Sequence, residues 1–159
     1  MRTLALVALL TLPILGSAHE PWLTRNPALA ELTTADYQPV SRVNDIPAGV
    51  RAALFSLMKH DPRLADPGEP FNSTDVVDRR LPMRRLIIAG GLPTSWVVCY
   101  EHGGRGYVRR LVIFAVQGAK VELRFSGSVA ARVTSLRDLR KAVRDGHVTD
   151  NTHDASGYY

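Results

Sequence analysis

The sequence predicts an α+β fold: a four-stranded antiparallel meander with an N-terminal helix packed on it and a shorter C-terminal helix. Three observations predict it. Between Arg84 and Phe125, four apolar runs are separated by three glycine-bearing breaks, the pattern of strands joined by tight turns. Ahead of them, Ile46, Val50, Ala53, Leu54, Leu57 and Met58 fall on one face of a helix. Behind them, Leu136, Leu139 and Val143 repeat at core spacing.

The chain opens with Arg2, an apolar stretch from Leu4 to Leu15, and the small residues Gly16-Ser17-Ala18. That tripartite pattern is a secretory signal peptide over 1–18, with cleavage expected after Ala18. The stretch is interrupted by Thr11 and Pro13, and it is well short of the roughly 20 apolar residues of a spanning helix. Localisation is therefore read as periplasmic or secreted. The whole chain of 159 residues has a net charge of +5, and loss of Arg2 lowers this to +4. A moderate positive charge suits an anionic surface or an acidic partner and equally serves solubility. The lone Cys99 excludes an internal disulfide, so stability has to come from packing.

Residues 19–44 contain Pro21, Pro27 and Pro39 and show neither strand nor helix periodicity. They read as an extended arm with at most a short helical turn near Ala28 to Leu32, pinned by Trp22 and Tyr37. A single α+β domain then occupies 45–146. Its first helix is expected to start at an Asp45 N-cap with Pro47 in the first turn and to stop near His60, before Asp61-Pro62. The proline-rich stretch 61–83 reads as a long loop in which Val76-Val77 offers a brief edge strand. It also contains a formal glycosylation acceptor, Asn72-Ser73-Thr74.

Alternation within the sheet carries more information. In the fourth expected strand, Val121, Leu123 and Phe125 fall opposite Lys120, Glu122 and Arg124, so one face should meet water. The second strand, Trp96 to Tyr100, is apolar on both faces, as is the third around Leu111 to Phe114. Such strands belong in the middle of a sheet covered twice. One strong helix precedes them, so the second cover has to come from the arm, the 61–83 loop, the last helix or another chain.

The last helix begins at Thr134 or Ser135 and ends at Asp145-Gly146. Arg137, Arg140, Lys141 and Arg144 surround its apolar stripe. Late basic residues oppose the helix dipole, and they also offer peripheral contact with an anionic membrane. Residues 147–159 are polar and read as a loose tail.

Candidate chemistry concentrates at the turn between the second and third strands, where Glu101, His102, Gly103, Gly104, Arg105 and Tyr107 cluster. Glycines there permit close backbone approach, while an acid, a base and a cation sit side by side. His102-Gly103-Gly104 resembles the start of the oxyanion loop of lipase-like α/β-hydrolases. The chain has no Gly-x-Ser-x-Gly elbow and is too short for that fold, so no activity carries over. His19, made N-terminal by cleavage, resembles the histidine brace of lytic polysaccharide monooxygenases and related copper carriers. The remaining histidines show no spacing that selects a second ligand. No metal, cofactor or specific nucleic-acid partner is expected, for want of Walker, Rossmann or zinc-cysteine patterns. The sequence favours an exported, non-catalytic binding module that acts by protein contact: an inhibitor, an immunity-type protein or an envelope assembly factor. The alternative is a small hydrolase or lyase of an envelope polymer, with His102 and Glu101 as acid and base.

Overall fold

The computed structural model describes residues 26–58 and 60–152. The expected signal peptide, Trp22 and His19 lie outside the described residues. The order of elements is α1 (Pro27–Thr34), β1 (Gln38–Val40), α2 (Ala48–Leu57), β2 (Arg84–Leu92), β3 (Ser95–His102), β4 (Val108–Gln117), β5 (Lys120–Val129), α3 (Leu136–Arg144) and β6 (Val148–Asp150). The architecture is α+β with an antiparallel sheet, but the sheet has six strands rather than four, arranged in chain order from β1 to β6.

Both additional strands come from segments that lack a readable period. The stretch expected as an extended arm holds the two-turn helix α1 and the edge strand β1, and the expected tail contributes β6. Asn26 caps α1 by accepting from Ala28 N at 3.1 Å, and Pro27 occupies the first helical position, where its missing N–H costs nothing. Eight residues are too few for a helix to persist alone. α1 is held from outside: Glu31 pairs with Arg124 of β5 at 2.6 Å, and Arg140 of α3 donates to the Leu32 and Ala35 carbonyls at 3.2 and 2.5 Å. Tyr37 is buried as an anchor, with its hydroxyl on Ser95 Oγ at 2.7 Å. β1 and β6 are three residues each and pair only with Ala89–Gly91 and Gly127–Val129, respectively.

Two cores lie on opposite faces of the sheet. On one, Val97, Cys99, Leu111, Ile113 and Phe125 pack under α1 and α3. On the other, Leu86, Val98, Tyr100, Val112 and Phe114 pack under Val50 and Leu54 of α2. The central strands β3 and β4 are thus covered twice, as their doubly apolar pattern requires, and the second cover is α1, from the expected arm, together with α3.

Helix α2 starts later than its sequence suggests. Asp45 ends a 3₁₀ turn at Val43–Asp45 and is not the cap, and Pro47 stands at the N-cap position. Ile46 precedes a proline, which disfavours helical backbone, and it is extended at φ −73°, ψ 129°. The helix then closes at Leu57, before Met58, rather than near His60.

β5 does not alternate cleanly either. Ile113 pairs with Phe125 but Phe114 pairs with Leu123, so Arg124 is the extra residue of a β-bulge. The bulge resets the faces: Leu123 and Val121 pack against the α2 side, whereas Phe125 enters the core under α1 and α3. A second irregularity at Ile87 of β2 acts similarly, turning Ile87 and Ile88 together toward the α1/α3 core.

The 61–83 loop is a built structure. Buried Asn72 donates through Nδ2 to the carbonyls of Asp78 and Leu81, both at 2.9 Å, and accepts from Asp78 N at 2.7 Å. Arg63 reaches the carbonyls of Arg79, Arg80 and Leu81. Ala65 bridges Arg85 of β2. Val76-Val77 forms no edge strand and is exposed.

Candidate functional site

The β3–β4 turn forms where β3 runs out of apolar residues, and two of its three glycines answer to distinct steric demands. Gly103 N donates to Met83 O at 3.0 Å, and a Cβ on Gly103 would run into the Asn72 carbonyl. Gly104 adopts φ +92°, a region that L side chains resist. Gly106 has open space around it and no positive φ. Both close-packed glycines therefore seat the hairpin on the 72–83 segment. Arg105, Gly106 and Tyr107 remain exposed at the tip.

Glu101 and His102 are neighbours in β3, so their side chains leave on opposite faces of the sheet. Glu101 lies on the α1/α3 side, flanked in register by Arg85 and Arg109. Arg85 binds its carboxylate through Nε at 2.8 Å and Nη2 at 2.7 Å, and the Tyr107 hydroxyl donates to the other oxygen. Partial burial, reinforced by that hydrogen bond, raises the Tyr107 phenol above its ordinary range. Arg85 also stacks on Phe71 at 4.4 Å, and Arg109 on Tyr107 at 5.2 Å. An open cleft of about 290 Å³ beside this pair is lined by Arg85, Leu86, Ile87, Glu101, Val133 and Thr134.

His102 lies on the α2 side with Tyr100, between Arg84 and Arg110. Arg84 is its cross-strand partner, and Arg110 stands opposite Tyr100. Both arginines are almost wholly buried, at 3% and 4% exposure. Burial, reinforced by the two guanidinium charges, pushes the His102 imidazole down to about 4, so it is neutral at pH 7.

The sequence cluster thus separates into three environments: a satisfied acid–arginine–tyrosine group on one face, a histidine between buried arginines on the other, and an exposed tip. Glu101 and His102 do not converge on one substrate position. Arg84, Arg85, Arg109 and Arg110 were missed by sequence reading, although the period of two places them beside the cluster once register is known. On α3, Arg140 turns to α1 and Lys141 pairs with Asp145, while Arg137 and Arg144 are exposed. The chain matches no family model, no curated protein and no solved structure.

Proposed function

We propose that the protein is an exported, non-catalytic binding module of the cell envelope that engages a protein partner through the β3–β4 tip and the adjoining loop. One observation carries the reading. Among the described residues, the large hydrophobic side chains left exposed are Val76, Val77 and Tyr107. They sit on two loops fastened together where Gly103 packs on Asn72 and donates to Met83 O. Apolar side chains on these loops, which also carry the exposed Arg105 and Arg80, suit a partner surface with apolar and acidic groups. Inhibitors, immunity-type proteins and envelope assembly factors use such surfaces, and none needs Glu101 and His102 to act as an acid–base pair.

The test pairs affinity with folding. Wild type and the variant Val76→Ser/Val77→Ser/Tyr107→Ala are used as bait in an envelope extract, and thermal unfolding is recorded for each. A stoichiometric partner held by wild type and lost by the variant, at an unfolding midpoint within a few degrees, supports the reading. Equal capture by both overturns this surface. Intact mass of the exported protein checks cleavage after Ala18, and retention of residues 1–18 in a membrane fraction overturns export as a cleaved protein.

A further inference from the structure

We propose that the α2-side face of the sheet contains an oxyanion site built by Arg84, His102 and Arg110, which takes a carboxylate or phosphoryl group. The proposal stands on observations separate from the exposed tip. Register places the three residues together. Arg84 of β2 faces His102 of β3, and two residues back along β3, Tyr100 faces Arg110 of β4, which in turn faces Ser128 of β5. All point to the side on which Leu86, Tyr100 and Val112 are packed.

Charge accounting gives the site its chemistry. A guanidinium does not shed its proton to escape burial, so a buried arginine needs compensation from its surroundings. Two half-buried arginines on this sheet have it: Arg85 pairs with Glu101 and Arg124 with Glu31. Arg84 is more deeply buried than either and forms no salt bridge among the described residues. Its Nη1 donates to the main-chain oxygen of Asp61 at 2.6 Å, and its buried Nε has no acceptor. Tyr100 and then the Asp61 carboxylate lend it some field, but the carboxylate oxygens are committed to Arg63 at 2.8 Å and Met83 N at 3.1 Å. Arg110, with Nη1 on Ser128 Oγ at 3.1 Å, stands on the same face, and Arg84 carries the charge to be compensated. A water molecule satisfies an N–H but not a net charge. An oxyanion satisfies both, accepting from Arg84 Nε and from the neutral imidazole's N–H. Planar guanidinium donors match carboxylate and phosphoryl oxygens. His102 is only half-buried at the end of β3, which sets the side from which the group is reached.

The experiment uses the full exported chain at pH 7.5 and constant ionic strength, titrated separately with inorganic phosphate and with acetate. Thermal unfolding and the His102 imidazole NMR resonances are followed on wild type, Arg84→Gln and Lys120→Ala, the last removing an exposed charge at the opposite end of the sheet. A saturable rise in midpoint is expected, with the His102 shift tracing the same binding curve. Lys120→Ala should bind like wild type and Arg84→Gln at least tenfold more weakly. Response to phosphate alone assigns a phosphoryl ligand, and response to acetate a carboxylate such as a partner's acidic group. Should Arg84→Gln fail to fold, the wild-type His102 titration decides the matter. Flat His102 resonances with both anions, or undiminished binding by Arg84→Gln, overturn the proposal.

Discussion

Gly103, Gly104 and Gly106 look interchangeable in the sequence, yet the structure demands three different things of them. Alanine at Gly103 brings its methyl into the Asn72 carbonyl, and overpacking of that kind costs about 1–3 kcal/mol. Alanine at Gly104 must accept φ +92°, a strain of about 1–2 kcal/mol. At Gly106 the change should stay within about 0.5 kcal/mol. Chemical denaturation of the three variants checks the order, and a stability loss at Gly106 matching that at Gly103 would refute it. Asn72 was legible only as a glycosylation acceptor. In the fold its Nδ2 is buried against carbonyls, so a glycan there conflicts with the folded loop. His102 yields a pH prediction whose sign follows from its depressed value. Between its unfolded pKa near 6.5 and the folded value of about 4, the unfolded state binds more protons than the folded one. Stability should therefore fall as pH drops through that window. His102→Gln, which stays neutral, should flatten the slope of unfolding free energy against pH between 6.5 and 4. An unchanged slope, or an imidazole titrating above 6 in the native protein, would contradict this.

At the level of elements, what was readable depended on length. β3 and β4 are long enough for their doubly apolar pattern to announce burial on both faces, and α3 announced a start at Thr134 or Ser135 and an end at Asp145-Gly146, of which the structure uses Ser135 as the N-cap and Asp145 as the C-cap, followed by Gly146 at positive φ. α1, β1 and β6 are too short for a period to repeat, and α1 borrows its stability from partners 93 and 108 residues away, Arg124 to Glu31 and Arg140 to Leu32. The bulge at Arg124 was invisible because it depends on register with β4, and strict alternation put Phe125 on the wrong face. The same borrowing makes α1 testable. Arg140→Ala removes the donors to Leu32 and Ala35 and should cost about 1.5–3 kcal/mol, the range for hydrogen bonds from a charged group. Amide exchange in α1 should rise more than in β3. Uniform acceleration across both elements would show that α1 has no independent dependence on α3.

For the molecule as a whole, two apolar layers back a single sheet, and Cys99 reports on the one under α1 and α3. It has no exposed surface, and burial pushes its thiol up to about 12. Thiol reagents should label it only through unfolding, at a rate that tracks stability across the variants above, and rapid labelling of native protein would show that layer to be open. The two layers also differ in how the chain supplies them. The α2 layer is drawn from residues 40–123, one continuous stretch. Its counterpart needs α1, near the start of the described chain, and α3, near its end, with Asn26 bonded to Asp150 at 3.3 Å. During synthesis or threading through a membrane pore, α2 has its whole docking surface once β5 has emerged. Val97, Cys99, Leu111 and Ile113 meanwhile face solvent until residue 143 is out. A chain held with residues up to about 130 outside the pore should therefore present Cys99 to a thiol reagent and its apolar neighbours to a chaperone, and release of the last turn of α3 should end both at once.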